Sequence, residues 1–203
     1  MPVCGINMGT LGFMADIEQN ELEVRLEQLC AGDYHIEWRR FLAGYITKPD
    51  RAEHFLGHAI NDIVVMKGDP ARIISLGLTV NETPLVECKA DGFIVATPTG
   101  STAYALSAGG PIMNPMVKGL VLTPICPHTL NIRPLVIREE DVVHIHLVDT
   151  RQSIIVTLDG QETTKIHPDD VITVKCSDVR AGIIKFEDKD YYRILRTKLW
   201  KNC

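Results

Sequence analysis

Between Asp33 and Glu187 the chain is a succession of short β-type runs, and this pattern limits the fold more than any other feature of the sequence. "YHIEWRRFLAGYI", "AINDIVVMK", "ARIISLGLTV" and "PLVECKADGFIVAT" come first. "GLVLTPI", "RPLVI", "DVVHIHLV", "SIIVTL", "DVITVKC" and "RAGIIKF" follow. β-Branched and aromatic residues dominate these runs, and turn residues separate them. In "VVHIHLV", Val143, Ile145 and Leu147 alternate with His144 and His146, so one face of that strand is apolar and the histidines face solvent. Asn81-Glu82 and Asp159-Gly160-Gln161 fall between runs as hairpin turns. Roughly ten strands without a matching set of helices predict a mainly β chain, an antiparallel β-sandwich over residues 33–187.

The flanks have a different texture. Residues 1–32 read as a strand-turn-helix unit, a small α/β remnant at the N-terminus. "PVCGIN" is a short buried strand, and a helix from Glu18 to Ala31 follows from the spacing of Leu22, Leu26, Leu29 and Cys30, with Gly32 as its C-cap. Such a unit cannot bury its own apolar face, so exposed apolar surface is expected there. Residues 188–203 form a C-terminal tail in which Tyr191, Leu195 and Leu199 recur at helical spacing; it would pack on the N-terminal domain.

Charge narrows the partners. Lys and Arg total 21 against 26 Asp and Glu, a net charge of −5. The longest basic cluster is Arg39-Arg40, so neither a nucleic acid nor a membrane surface is an expected partner. No apolar run approaches the ~18 residues of a membrane-crossing helix. The six cysteines include no CxxC pair and follow no signal peptide, which points to reduced thiols in a cytoplasmic protein.

The densest cluster of small polar residues is "ATPTGSTAYALSAGGP", from Ala96 to Pro111. A P-loop needs GxxxxGK[ST], and no Lys or Arg lies between Lys89 and Lys118. The segment offers hydroxyls, backbone N–H groups and the Tyr104 ring. Those suit a base, an amide or a sugar, or else a structural crossing between strands. Asp91-Gly92 heads the strand that feeds it. Gly5, Gly9 and Gly12 follow a strand and precede a helix, but at GxxxGxxG spacing rather than GxGxxG; a tight turn with Phe13 packed beside it reads equally well. Asn61-Asp62 interrupts an apolar run and either caps a bulge or meets a polar ligand. His54 and His58, four apart, read as a solvated helix face rather than a zinc pair, since no third ligand is near. His128 is set among prolines as a conformational anchor. No nucleophile–base or paired-carboxylate arrangement stands out from the spacing.

Taken in order, "GINMGTLGF", "AINDIVV", "DGFIVATPTGSTAYALSAGGPI", "TPICPHTLNIRPLVI" and "LDGQ" resemble the NAD kinase family over essentially the whole chain. The resemblance implies an NAD-binding β-sandwich beside an N-terminal α/β domain. The implied reaction is phosphoryl transfer from ATP or polyphosphate to the adenosine-ribose 2′-hydroxyl of NAD, giving NADP, with Mg²⁺ or another divalent cation accompanying ATP. Asn61 and Asp62 would bind the adenosine ribose. Thr99, Thr102, Ala103, Tyr104 and Ser107 would line the dinucleotide pocket, Asp91 would accept from the nicotinamide carboxamide, and Arg72, Lys89 and Gln161 would contact NAD. A homodimer or homotetramer is implied. The family's GGDGT motif, whose Asp is the proposed base, is absent. Its absence implies a shortened chain with no catalytic Asp to assign, and leaves a catalytically inactive NAD(P)-binding or assembly module as the alternative.

Overall fold

The computed structural model describes residues 1–8, 12–15, 17–69, 72–129, 131–149 and 153–200. Its strands are β1 (Ile6–Asn7), β2 (Ile17–Glu18), β3 (His35–Thr47), β4 (Glu53–Ala59), β5 (Asp62–Lys67), β6 (Ile74–Val80) and β7 (Thr83–Ala90). They continue as β8 (Gly92–Ala96), β9 (Gly119–Ile125), β10 (Leu135–Arg138), β11 (Val143–Leu147), β12 (Ile154–Leu158), β13 (Glu162–Ile166) and β14 (Val171–Lys185). The α-helices are α1 (Leu22–Ala31), α2 (Tyr104–Ser107) and α3 (Tyr191–Leu199). The chain divides into two compact units, residues 40–179 and residues 1–39 with 180–203. No helix among the described residues is long and apolar enough to cross a membrane.

The larger unit is a sandwich. One six-stranded sheet has the order β10-β9-β8-β5-β12-β13 and the other β4-β3-β14-β11-β6-β7, with antiparallel pairing. Ile63 and Val65 of β5 and Phe93 and Val95 of β8 point into the core between the sheets, where they join Leu42, Leu76, Ile145 and Ile172. Val64, Ile94 and Ala96 point the other way, into a second cluster closed by Ala105 and Met113. β5 and β8 are therefore buried on both faces, which is why they read as continuous apolar runs instead of alternating ones. The predicted hairpins are present: Asn81 and Glu82, at φ 47° and 68°, join β6 to β7, and Asp159 and Gly160, at φ 50° and 67°, join β12 to β13. Two positive-φ residues are what the two-residue β6–β7 hairpin requires; the β12–β13 loop has a third residue, Gln161, because Leu158 pairs with Glu162.

Several element readings are corrected. "PLVECKADGFIVAT" is two strands, because the chain bends at Asp91 and passes from one sheet to the other. "DVITVKC" and "RAGIIKF" lie on one 15-residue strand, β14. "HFLGH" is strand β4, not a helix. There Phe55 lies opposite Tyr45 of β3, ring centroids 5.3 Å apart, and 4.9 Å from the His58 ring. Cross-strand aromatic pairs outweigh the weak helical spacing.

In the smaller unit β1 pairs parallel with β2. The strand within "PVCGIN" forms but is not buried: Val3 and Ile6 are exposed. Gly9, Thr10 and Leu11 of the glycine-rich turn lie outside the described residues, as does Cys203 of the tail. α1 ends on Gly32 in the left-handed region at φ 77°, as its sequence predicts. Asp190 caps α3, its side chain accepting from the Tyr192 and Arg193 N–H groups. The buried residue of α1 is Arg25. Its guanidinium meets Asp188 at 2.6 Å and Glu21 at 3.1 Å, over the Phe186 ring at 4.8 Å. The apolar stripe points elsewhere: Leu22, Val24 and Leu26 are 38%, 56% and 52% exposed. The double substitution Leu22→Glu/Leu26→Glu should therefore change stability by no more than about 0.5 kcal/mol while reducing the binding of a hydrophobic dye. Dye fluorescence equal to that of the unaltered protein would contradict this.

Candidate functional site

Strand β5 is the axis of the site. A cavity of about 410 Å³ opens along it, lined by Asn61, Asp62, Val64 and Met66, by Ala103 and Tyr104 before and on α2, and by Thr157, Asp159 and Gly160 of the β12–β13 corner. All of these belong to the larger unit. No Lys, Arg or His is among them, so the wall is neutral or acidic.

The segment from Thr97 to Gly110 closes one side, and its polar groups are largely spent on itself. The Thr97 N–H donates to the Asn61 carbonyl (2.9 Å) and its hydroxyl to the Ile60 carbonyl (2.6 Å). The Gly100 N–H donates to Thr97 Oγ1 and the Ser101 N–H to the Thr97 carbonyl. Ser101 Oγ donates to the Pro98 carbonyl and accepts from the Met113 N–H. A phosphate cradle needs free N–H groups, and here those of Gly100 and Ser101 are used internally. Gly100 lies so close to the Asn61 carbonyl that a Cβ would collide with it; only glycine lets the two backbones meet. The segment thus grips the bend at Asn61 and presents Ala103 and Tyr104 to the cavity.

Two carboxylates, Asp62 and Asp159, line the cavity together, a pairing that sequence spacing concealed. Asp159 Oδ2 accepts from the Ile60 N–H at 2.8 Å, and Oδ1 accepts from the N–H groups of Asn61 at 2.7 Å and Asp62 at 3.1 Å. Asp159 is held in this position by its place in the hairpin corner, where its own N–H donates to the Asp62 carbonyl at 3.0 Å. The side chain of Asp62 is the reverse case. It is only 4% exposed, it lines the cavity, and among the described residues nothing donates a hydrogen bond to it. Burial first, and the Asp159 charge second, push the Asp62 carboxyl up to about 6. Tyr104, 40% exposed, also lines the cavity; burial, then the nearby Cys126, Asp91 and Asp62, push its phenol up.

Of the residues marked in the sequence, Asn61, Asp62, Ala103 and Tyr104 come together around the cavity. Thr99 is buried beside them, and the Thr102 hydroxyl donates to the Thr99 carbonyl. Asp91 is at the far end of β5, where Lys67 Nζ lies 2.7 Å from Oδ1. Ser107 ends α2 on the exposed side. Arg72 pairs loosely with Asp69 at 3.7 Å, Lys89 is exposed on β7, and Gln161 donates its backbone N–H to Leu158 in the hairpin corner; none of the three lines the cavity. His144 and His146 are half-buried on β11, and His144 Nδ1 is 3.0 Å from the Thr173 hydroxyl. Asp159 is the residue that sequence reasoning read only as a turn. No spacing rule connects it to an N–H group 97 to 99 positions away.

Residues 60–186 match the sequence profile of the ATP-NAD kinase C-terminal domain. An NAD kinase of Clostridium botulinum (strain ATCC 19397 / Type A) is 42% identical over 199 residues, 98% of this chain and 70% of that protein. One from Carboxydothermus hydrogenoformans is 40% identical, over 98% of this chain and 71% of that protein. Among solved structures, yeast NADH kinase complexed with NADH superposes with a TM-score of 0.89 at 27% identity, covering 99% of this chain and 60% of that one. An NAD kinase from Archaeoglobus fulgidus in complex with ATP gives 0.80 at 30% identity, covering 100% and 75%.

Proposed function

We propose that this chain, which belongs to the NAD kinase family, binds NAD along β5 and supplies the acceptor half of a phosphoryl transfer from ATP or polyphosphate to the adenosine-ribose 2′-hydroxyl. In that reaction the hydroxyl oxygen bonds to the terminal phosphorus, the bond from phosphorus to the leaving phosphate oxygen breaks, and the hydroxyl proton passes to a base; the product is NADP. The observation that carries the reading is the unpartnered, buried carboxylate of Asp62 beside Asn61, aimed into a cavity without a cation. A carboxylate in that state needs donors, and a ribose diol supplies two. Asp91 is five residues of β5 further along, ~17 Å at ~3.4 Å per residue, and Tyr104 is close enough to feel both carboxylates. A ligand with polar groups at both ends and an aromatic base fits that arrangement. Thr99, Thr102, Ala103 and Ser107 would complete its walls, with Arg72, Lys89 and Gln161 at its margins.

The donor half is not built from these residues. Phosphoryl transfer rests on cationic neutralisation of the moving charge, and the cavity wall contributes none. Among the described residues no group of three or more His, Cys, Asp or Glu is placed to hold a metal ion. They do not fit a protein-held Mg²⁺, so that cation would enter on the phosphates of the donor nucleotide. The sequence contains no GGDGT, and this favours a second reading in which the chain binds NAD without turnover. A cytoplasmic location and assembly into a homodimer or homotetramer belong to the same proposal. The exposed Leu135 and Val136 on edge strand β10 support the assembly.

Calorimetric titration of NAD into the folded chain tests the binding claim. Saturable binding is expected, with most of the affinity from the adenosine half, and Tyr104→Ala should weaken it by about 5- to 100-fold through lost stacking. No heat from the folded protein would overturn the reading. NADP formed from ATP, Mg²⁺ and this chain alone would eliminate the inactive alternative.

A further inference from the structure

We propose that Asp159 is the positioning residue of this site and that, through it, dinucleotide binding is coupled to loss of a proton from Asp62. The inference rests on the NAD-binding reading above and adds to it a pH dependence set by this chain's own residues.

The geometry separates the two carboxylates into different roles. Asp159 accepts from three consecutive backbone N–H groups, those of residues 60 to 62. Three such bonds tie that carboxylate to the backbone at the start of β5. They also fix the bend from which Asn61 and Asp62 project, so Asp159 decides where both side chains point. Asp62 receives no such support. The titratable groups that line the cavity with it are the Asp159 carboxylate, from the β12–β13 corner, and the Tyr104 phenol, from α2. Its neighbours on β5 and β8 are apolar, and the nearest lysine on its own strand, Lys67, is occupied by Asp91 at the other end. Burial first, and the neighbouring Asp159 charge second, push the Asp62 carboxyl up to about 6.

An ionised Asp62 accepts from both hydroxyls of a vicinal diol. Once protonated, one of its oxygens becomes a donor and an acceptor position is lost. The diol therefore selects the ionised form. Because linkage is reciprocal, bound ligand lowers the proton affinity of Asp62 by the same factor that the proton lowers ligand affinity. Removing the Asp159 charge eases ionisation of Asp62 and moves the transition to lower pH.

The test is calorimetric titration of NAD into the full chain between about pH 5 and pH 8, in two buffers of different ionisation enthalpy, with folding checked by circular dichroism at each pH. Affinity should be level above about pH 7 and fall, approaching tenfold per unit, below about pH 6. Proton release on binding should appear in the same interval. Asp62→Asn should bind weakly with no pH dependence. Asp159→Asn should bind more weakly at neutral pH, and its transition should lie at lower pH than that of the unaltered chain. A merely structural Asp159 would lower affinity equally at every pH, and that result overturns the proposal. So does unaltered protein that binds NAD with level affinity and no proton release from about pH 5 to pH 8, a result that leaves NAD binding intact. Folded protein that does not bind NAD at neutral pH overturns the underlying reading instead. If Asp159→Asn does not fold, the proton count of the unaltered chain set against Asp62→Asn decides: equal proton release from both overturns the coupling.

Discussion

Gly100→Ala is expected to lose about 3 kcal/mol or more of stability, a fall of roughly 6–12 °C in Tm for a chain of this size, and to lose NAD binding with it. The new methyl group would lie 2.0 Å from the Asn61 carbonyl oxygen, far inside contact distance. That oxygen already accepts from the Thr97 N–H at 2.9 Å, so moving it aside breaks the clasp that sets the bend before β5. Both walls of the cavity then shift, because Asn61 and Asp62 stand on one side of the contact and Ala103 and Tyr104 on the other. Gly109→Ala is the matched control. Gly109 has φ 86° but nothing within 4 Å of an added Cβ, so only backbone strain, ~1 kcal/mol, opposes it. Thermal unfolding of the two variants separates close approach from conformation. Equal Tm values would show that the contact at Gly100 carries no special weight.

The same contact shows why part of the site was legible in the sequence and part was not. The run of glycine and hydroxyl residues from Ala96 to Pro111 announces a backbone approached closely by something, and the absence of Lys and Arg excludes a phosphate cradle. What approaches is the chain's own Asn61 carbonyl, 39 positions earlier, and no local pattern records that. The strands were legible where burial is one-sided, as in β11, or where turn residues stand between runs, as at Asn81-Glu82. They were misdivided at Asp91, where the chain changes sheets without a glycine–proline marker ahead of the bend, and in β14, where Ser177 to Arg180 reads as an interruption although the strand runs through it. The helical stripe of Leu22 and Leu26 was read correctly as helix, and its exposure follows from the expectation that a single strand-turn-helix unit has nothing to cover it. Asp159 was hidden for a simpler reason: an Asp at a positive-φ hairpin position is sufficiently explained by the turn, so its second task left no trace in composition.

Asp62→Asn should raise the stability of the unliganded protein while weakening its hold on NAD. The unfolded carboxyl ionises near 3.8 and the folded one near 6. Below about pH 4 both states are protonated and Asp62 costs nothing. As pH rises from about 4 to about 6, the unfolded chain releases its proton while the folded chain keeps it, so stability declines across that window; above about 6 the full cost remains. A shift of this size corresponds to about 3 kcal/mol, and an uncharged amide at the same place recovers about 1–2 kcal/mol of it. Urea unfolding at about pH 4 and pH 7.5 measures the difference: the variant should match the unaltered chain at the lower value and exceed it at the higher. A variant less stable at both would mean that the Asp62 carboxylate finds support in the native chain. The expected outcome identifies Asp62 as a group held against its own solvation preference. A folded chain tolerates such a group where a ligand supplies the missing donors, so added NAD should erase the variant's advantage at neutral pH by stabilising the unaltered chain more.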